Sequence, residues 1–446
     1  MSAVITPASK RRSLLNPVVC PRCWTQFPPE DVLWISESQE LLGDYKLGET
    51  EPTRFLPTEF NASGFALDLK GFPCRHLACP HCHLRLPTGA LETPSSFMSI
   101  VGAPASGKSY FLASSIWTLR KTLSTNFSVS FQDADPEMNA PIQRYESVHF
   151  LNENQNKITQ IDKTEVEGNL YNLVRHGDEN VVYPRPFVFT VTKRSSRDPK
   201  TFHAENLNLY DNAGESWLPA LNADSALYPA TRHIAKSSCI LFIYDPTQDV
   251  RFRSVCREFS DDPQLGVGDA DALGARRVTD SRQELVLGEM IKRVRHFRQM
   301  SNTQRYELPL IIVVSKFDIW RRLTPEIDTD LPIDYRESNG RRHDVLRLDK
   351  IKAASEAVRK VLAERTPEFT RAVEQFASNA VYIPFSATGV SPVFDPQTRQ
   401  TGFRASQLKP IWAEVPMLYA LTQATQYRCF IPVHPKATPS AARPRF

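Results

Sequence analysis

The sequence predicts an α/β protein in which a doubly wound, mainly parallel sheet follows a small cysteine-rich module. Three observations predict this class. Short, unbroken apolar runs recur along the chain, as strands buried on both faces of a parallel sheet require. A glycine-rich loop joins one of these runs to a helical pattern, and two C-P-x-C pairs occur before residue 90. At 446 residues the chain is long enough for two or three structural units with a sizeable core.

The composition is that of a globular protein, with 41% hydrophobic residues. The formal net charge of +4 is too small to argue for nucleic acid or a membrane surface, so a nucleic-acid partner stays open but without support. No run of about 18 apolar residues occurs, and residues 1–16 lack the apolar core of a secretion signal. We therefore expect a cytoplasmic protein without a membrane span, with residues 1–16 as a flexible leader.

The cysteines are concentrated near the N-terminus, where five of the eight lie within the first 82 residues. Without a secretion signal, this clustering favours metal binding over disulfides. Each C-P-x-C pair forms a tight turn that directs two thiolates to one point, and two such turns make a tetrahedral zinc site with no open position. The sequence predicts a structural Zn²⁺ in a module spanning residues 17–90, bound by Cys20, Cys23, Cys79 and Cys82.

Two features of this module leave alternatives open. More than fifty residues separate the two pairs, so an inserted loop or small subdomain must fill the interval. Other possible ligands crowd the second pair, and one of them could replace a cysteine: Cys74, His76, His81 and His83. A set of reduced cysteines without metal is the other alternative.

The apolar run Phe97–Val101 predicts a buried strand, and the residues after it satisfy the pattern G-x-x-x-x-G-K-[ST]. Gly102 and Gly107 permit backbone torsions that let successive N–H groups surround a phosphate at the start of the following helix. Lys108 would then reach the β- and γ-phosphates, and the Ser109 hydroxyl would bind Mg²⁺. The alternative is a glycine-rich turn with a solvated lysine. The predicted nucleotide-binding residues are Gly102, Ala103, Ser106, Gly107, Lys108, Ser109 and Tyr110.

Further strands and helices follow the glycine loop. Apolar runs predict strands at residues 186–192, 207–210, 239–244, 308–314 and 380–384. Helical periodicity occurs over residues 284–300 and 408–425. Insertions are predicted near residues 122–186 and 248–280, where the sequence is polar and irregular.

Two of these strands end in residues suited to a guanine base. Residues 308–314 lead into Ser315-Lys316-Phe317-Asp318, which matches the pattern [NTS]-K-x-D. A carboxylate at Asp318 can accept hydrogen bonds from guanine N1–H and from its 2-amino group, which adenine cannot offer, and the Lys316 stem would lie over the base. Residues 380–384 lead into Ser386-Ala387-Thr388, where the Ala387 amide could donate to guanine O6.

One more element completes the series, because residues 207–210 run directly into the D-x-x-G sequence DNAG at Asp211–Gly214. With the glycine loop, SKFD and SAT, it resembles the Ras-like, translation-factor-related class of P-loop GTPases over residues 97–389. The resemblance implies a P-loop GTPase domain spanning residues 95–430, with GTP and Mg²⁺ as cofactors.

The resemblance also assigns roles to residues near the phosphates. It implies that Asp211 holds Mg²⁺ through water, that Ser109 binds it directly, and that the Gly214 amide contacts the γ-phosphate. The Mg²⁺-binding threonine of the first switch would be Thr164, with Thr159 as the alternative.

The N-terminal module resembles the zinc ribbon fused to GTPase domains in predicted bacterial conflict systems, where GTPases often occur in tandem. This resemblance implies an unidentified effector protein as partner, for which a second GTPase is one candidate. Residues 431–446 have the composition of a disordered tail.

Two departures from the GTPase pattern affect the expected activity. Ser315 stands where Asn or Thr is usual, so one hydrogen bond that ties base recognition to the glycine loop is expected to be weaker. Glu215 stands where Ras-like enzymes place a water-orienting Gln, and its carboxylate adds negative charge beside a transition state already rich in it. We therefore expect a GTP-dependent switch with slow hydrolysis, in which Lys108, Glu215 and Thr164 are catalytic. The alternatives are a P-loop ATPase and a non-hydrolysing scaffold that contacts its partner through the zinc module.

Overall fold

The computed structural model describes residues 14–161, 171–195, 198, 200–212, 214–217, 230–266, 282–338, 340–395, 400–425 and 430–433. Its strands are β1 Val18–Val19, β2 Gln26–Phe27, β3 Leu33–Ile35, β4 Leu42–Asp44, β5 Gly48–Pro52, β6 Arg54–Phe55, β7 Leu77–Ala78, β8 Ser95–Gly102, β9 Val129–Asp133, β10 Ile158–Thr159, β11 Tyr171–His176, β12 Glu179–Pro184, β13 Phe187–Arg194, β14 Phe202–Asp211, β15 Cys239–Tyr244, β16 Leu310–Val314, β17 Ile333–Ser338, β18 Arg341–Leu346, β19 Ala380–Pro384, β20 Val393–Asp395 and β21 Gln400–Arg404. Its helices are α1 Lys108–Phe127, α2 Ala140–His149, α3 His233–Lys236, α4 Val250–Cys256, α5 Gln283–Arg298, α6 Phe317–Trp320, α7 Leu348–Arg365, α8 Pro367–Phe376 and α9 Val415–Ala424.

A seven-stranded sheet forms the centre of the fold, in the order β19-β16-β15-β8-β14-β13-β9. The five strands from β19 to β14 are parallel. At one edge of the sheet, β13 pairs antiparallel with both of its neighbours, β14 and β9. Every residue of β15 and β16 is buried, as in parallel strands that are covered on both faces. The predicted α/β class with a mainly parallel sheet is confirmed.

Apolar side chains on the two faces of the sheet form separate cores. On one face, Phe111 of α1 and Leu418 of α9 belong to a buried cluster with Ile100 of β8. On the other face, Met290 of α5 and Val373 of α8 belong to a second cluster. Burying each side chain of this size contributes about 1.5–3 kcal/mol, so both helical layers stabilise the sheet.

The first strand of this sheet along the chain, β8, lies between β14 and β15, so the strand order extends outward from β8 in both directions. In open α/β sheets, ligands bind at the carboxyl edge where the strand order reverses in this way. The loops that follow β8, β14, β15, β16 and β19 all leave the sheet at this edge, because the five strands are parallel. The edge therefore gathers every predicted nucleotide-binding segment.

The first predicted insertion contains a strand of the central sheet. β9 pairs antiparallel with β13, and the ring of Phe131 stacks on that of Phe189 with a centroid distance of 4.7 Å. Its sequence, Val-Ser-Phe-Gln-Asp, alternates buried and exposed residues, as an edge strand with one solvated face does. This strand was not predicted, because only two of its five residues are apolar.

The N-terminal module contains three small sheets. β1 pairs with β2, β3 pairs with both β6 and β7, and β4 pairs with β5. Its apolar core includes the predicted metal ligands and Trp24. The hairpin β11–β12, from the first predicted insertion, adds Val174 and Tyr183 to this core, and the central sheet adds Tyr210. The module therefore packs directly on the sheet.

The second predicted insertion is helical in part. Asp249 caps α4, because its carboxylate accepts hydrogen bonds from the amides of Arg251 and Phe252. Phe252 and Cys256 are fully buried, so this helix belongs to the core rather than to an exposed loop. No helix within the described ranges is both long and apolar enough to cross a membrane.

Candidate functional site: a nucleotide pocket and a cysteine cluster

The glycine loop joins the end of β8 to the start of α1. Gly107 is the residue before the helix and has a φ of +97°, a left-handed conformation that favours glycine. Gly102 is required for a different reason. A Cβ on Gly102 would lie 2.8 Å from the carbonyl oxygen of Ile243 and 2.8 Å from Ser106 Oγ. Both glycines of the motif therefore occupy positions that a larger residue would strain.

Lys108 lies within this loop. Its side chain is buried, and Nζ donates hydrogen bonds to the carbonyl oxygens of Gly102 and Ala103, each at 3.0 Å. The ammonium group is thus held against the loop backbone, where a phosphate could exchange for the carbonyl partners. Ser109 follows in the first turn of α1 and is half-buried.

The DNAG sequence lies beside the glycine loop. Asp211 is the last residue of β14 and is paired in register with Ile100 of β8. A Cβ on Gly214 would lie 2.7 Å from the carbonyl carbon of Ala103 and 2.8 Å from Cα of Pro104. The turn at Gly214 therefore approaches the loop backbone more closely than any other residue type would allow. The Glu215 side chain and the whole of Thr164 lie outside the described residues.

The alternative switch residue, Thr159, lies in β10. This strand pairs with β21, and the Thr159 hydroxyl donates to the carbonyl oxygen of Phe403 at 3.4 Å. Its side chain is therefore engaged by the small sheet β10-β21-β20.

The SKFD segment is tied to the glycine loop by a hydrogen bond. Ser315 follows β16, and its Oγ donates to the carbonyl oxygen of Ser106 at 3.2 Å. On the other side, Trp320 Nε1 donates to the Ser315 carbonyl at 2.8 Å. Ser315 therefore connects the two predicted recognition segments, as the motif requires.

Asp318 and the SAT segment also meet at this edge. A hydrogen bond from Ser386 favours the charged Asp318 carboxylate, but burial has the larger effect and raises the pKa of Asp318. The Ala387 carbonyl accepts a hydrogen bond from Ser114 of α1 at 2.7 Å. The SAT loop is thus fixed between the glycine-loop helix and the predicted base-reading carboxylate.

Two acidic residues that the sequence did not single out surround Lys316. Asp245 follows β15, is fully buried, and places Oδ2 2.8 Å from Lys316 Nζ. Asp262 is also buried, and burial raises its pKa while Lys316 lowers it. Asp262 in turn raises the pKa of Asp318. The position of Asp245 directly after an apolar strand was a usable signal, whereas Asp262 lies within the second predicted insertion.

The four predicted zinc ligands come together in the N-terminal module. Their Sγ atoms all lie within 4.8 Å of one another, with Cys20 to Cys82 at 3.8 Å and Cys23 to Cys79 at 3.7 Å. Tetrahedral zinc with Zn–S distances of about 2.3 Å places its sulfurs about 3.8 Å apart. The four cysteines therefore fit a metal ion such as zinc.

The two C-P-x-C turns, which we call the first and second knuckle, have the same local geometry. Trp24 and His83, the residues after each knuckle, have φ of 59° and 60°. Within each knuckle an amide points at the first sulfur: Arg22 N lies 3.3 Å from Cys20 Sγ, and His81 N lies 3.4 Å from Cys79 Sγ. Such amide dipoles favour thiolate over thiol.

Two of the four alternative ligands, Cys74 and His83, have other partners. Cys74 Sγ donates to the Phe72 carbonyl at 3.6 Å, and His83 Nδ1 lies 2.7 Å from Asp44 Oδ2. Burial and the neighbouring sulfurs raise the pKa of the Cys20 thiol, and a bound cation would favour its thiolate.

No family model matches this sequence, and no curated protein is similar to it. Function is therefore inferred from the residues of the two sites.

A buried histidine lies next to the predicted nucleotide-binding residue Tyr110. His149 has no exposed surface, and neither ring nitrogen has a hydrogen-bond partner within the described part of the chain. Its ring packs against Tyr110, Phe150 and Phe403, with centroid distances of 5.2, 4.9 and 5.9 Å. Tyr110, in turn, accepts a hydrogen bond from the Ile161 amide at 3.2 Å. The predicted contact residue Tyr110 thus packs within an aromatic cluster.

Proposed function

We propose that the protein binds GTP with Mg²⁺ at the carboxyl edge of its central sheet and acts as a switch with slow hydrolysis. The observation that carries this proposal is the hydrogen bond from Ser315 Oγ to the Ser106 carbonyl. It joins a segment with the residue types for guanine to a segment with the residue types for phosphate.

Each segment has a defined role in the proposal. The amides of residues 102–109 and the Lys108 ammonium bind phosphates, and Ser109 and Asp211 hold Mg²⁺. The Asp318 carboxylate accepts from the two donors of the guanine edge, and the Ala387 amide donates to O6. Burial raises the pKa of Asp318 and so disfavours its charged form. Hydrogen bonds from the two guanine donors would act in the opposite direction and favour the charged carboxylate.

A protein partner would respond to the terminal phosphate. The Gly214 turn lies against the glycine loop, so a γ-phosphate bound there would alter the contacts of this turn. Thr164 and Glu215 are the proposed switch threonine and the residue near the attacking water. An effector protein, for which a second GTPase is one candidate, would recognise the ordered segments.

The proposed metal in the N-terminal module is a structural Zn²⁺. Four thiolates fill a tetrahedral site and leave no position for a substrate. Cys20, Cys79 and Cys82 are fully buried, which favours a structural metal site over a catalytic one.

Nucleotide binding tests the proposal directly. Titration of the purified full chain with fluorescent GTP and ATP analogues, with Mg²⁺, should show clear preference for GTP. Lys108→Ala should weaken binding tenfold or more, because the charge along the phosphates is lost. Lys121→Ala, an exposed lysine of the same helix, is the matched control and should bind as the parent does.

A second variant tests base recognition. Asp318→Asn should weaken GTP binding by about 1–3 kcal/mol and favour xanthosine triphosphate, because an acceptor becomes a donor. Asp328→Asn, at an exposed position, should change neither. If the parent prefers ATP, the alternative function as an ATPase is favoured. If it binds neither nucleotide, the alternative function as a scaffold that contacts its partner through the zinc module is favoured.

A further inference from the structure

The cysteine cluster and the predicted nucleotide pocket meet at one residue. Tyr210 belongs to β14 and directly precedes Asp211. Its side chain is fully buried and lies in the apolar core of the N-terminal module, whereas Leu209 lies in the core of the sheet. This follows from the alternation of side chains along a strand. The residue next to the proposed Mg²⁺ ligand is thus part of the cysteine module.

The Tyr210 hydroxyl binds the first knuckle through two hydrogen bonds. It donates to the Pro21 carbonyl at 2.6 Å and accepts from Trp24 Nε1 at 2.9 Å. Pro21 lies between the ligands Cys20 and Cys23, and Trp24 follows them. Burial raises the pKa of Tyr210 well above its usual range, so the hydroxyl remains a donor.

The other side of the Tyr210 ring contacts the elements that carry the phosphate-binding segments. Its ring stacks on His233 with a centroid distance of 4.7 Å and an angle of 15°. His233 Nδ1 lies 2.5 Å from the hydroxyl of Ser99, in the strand that leads to the glycine loop. The His233 ring also meets Trp217, the last residue of the Gly214 turn, edge to face at 6.4 Å.

The shape of the first knuckle would depend on its metal, because four thiolates must converge on one ion. Both partners of the Tyr210 hydroxyl are fixed by that shape. A change at the knuckle would therefore move Tyr210, and with it Asp211 and the ring stack that reaches β8 and Gly214.

We propose that Tyr210 is a positioning residue through which the metal-bound first knuckle sets Asp211 for Mg²⁺ and nucleotide. This proposal rests on the proposed GTP-binding function. By linkage, nucleotide must then stabilise the bound metal by the same factor by which metal strengthens nucleotide binding.

Zinc affinity measures this coupling without any measurement of hydrolysis. The zinc-loaded full chain is titrated with a chromogenic zinc chelator, with and without GTP and Mg²⁺, and the absorbance gives the share of zinc that the chelator holds at equilibrium. GTP should tighten zinc binding by the parent about fivefold or more, within the usual range of coupling between two sites.

Two tyrosine variants separate coupling from general stability. Tyr210→Phe keeps the ring and its stack on His233 but loses both hydrogen bonds, so GTP should tighten zinc binding by less than about twofold. Tyr183→Phe is the matched control. Tyr183 lies in the same core, 6.3 Å from the Trp24 ring, but its hydroxyl binds His176 Nε2 instead of the knuckle. This control should keep the full effect of GTP.

Trp24→Phe is a second variant that removes the Nε1 donor to Tyr210, together with part of the buried ring that packs on Tyr183 and Tyr210. It should reduce the GTP effect as Tyr210→Phe does. If GTP binds to the parent without tightening zinc binding, or if Tyr210→Phe keeps the full effect, the coupling proposal is wrong and the nucleotide proposal stands. If GTP fails to bind to the parent in the direct titration, both proposals are wrong.

Discussion

Acid should destabilise the protein through His149, which is buried against three aromatic rings beside the proposed nucleotide pocket. Burial lowers its pKa from about 6.5 to about 4 in the folded state, and no neighbouring charge contributes to this shift. The unfolded chain regains the ordinary value. Between these two values the unfolded state binds more protons than the folded state, so the free energy of unfolding falls as the pH falls.

The size of the effect follows from the two pKa values. One pKa unit corresponds to about 1.4 kcal/mol, and the loss begins near pH 6.5 and ends near pH 4. At pH 5 the folded protein has lost about 2 kcal/mol relative to pH 7.5 from this residue alone. Because the side chain is fully buried, solvent does not screen this contribution.

Urea unfolding at pH 7.5 and pH 5 gives the two free energies. The His149→Leu variant has a side chain of similar volume that cannot be protonated, so it should lose about 2 kcal/mol less between the two pH values than the parent. Any effect of acid on the other groups is shared by parent and variant and cancels in the comparison. His343→Leu, at an exposed position, should behave as the parent does. Equal losses in parent and His149→Leu would refute the reasoning.

Three further predictions concern the metal, the proposed catalysis and the buried ion pair. Elemental analysis should find about one zinc per chain in the parent and none in Cys79→Ser; full retention of zinc would indicate that Cys74 or a histidine is a ligand. Glu215→Gln should raise the single-turnover rate of GTP hydrolysis by removing a charge and restoring a donor; loss of activity in both Glu215→Gln and Glu215→Ala would instead identify a working carboxylate. Asp245→Asn should lower the free energy of unfolding by about 2–3 kcal/mol, because it removes the buried charge that lies 2.8 Å from Lys316 Nζ; an unchanged urea midpoint would contradict this.

The parallel strands could be predicted because burial on both faces leaves an unbroken apolar run in the sequence. The predicted bounds of β15 and β19 agree with the structure at both ends. β16 begins two residues later than predicted, at Leu310, because Pro309 has no N–H to donate to the ladder. Strand positions of this kind follow from local sequence alone.

Elements with one solvated face could not be predicted in the same way. β9 and the hairpin β11–β12 lie in a segment whose polar composition indicated an insertion. The buried face of the hairpin is covered by a distant part of the chain. Val174, for example, packs in the core of the N-terminal module. The local pattern of apolar residues cannot predict that residues far away in the sequence bury one face of a strand.

The same distinction between local and long-range contacts applies to the candidate sites. The four cysteines could be predicted because each knuckle is local and its geometry is fixed by chemistry. The surroundings of Lys316 could not, because Asp245 and Asp262 reach it from separate segments. The contact between Tyr210 and the first knuckle joins residues that are almost 190 positions apart in the sequence.

Ser315 shows how a departure from a sequence pattern can preserve its geometry. The sequence indicated a weaker link between the base-reading segment and the glycine loop at this position. The link is present, because the serine hydroxyl donates to the Ser106 carbonyl, and its length of 3.2 Å exceeds the usual distance of about 2.8 Å for such a bond. A separate hydrogen bond at the same edge runs from Ser114 of α1 to the Ala387 carbonyl oxygen of the SAT loop. A serine therefore suffices to join SKFD to the glycine loop, and the SAT loop has its own bond to the helix that follows the glycine loop.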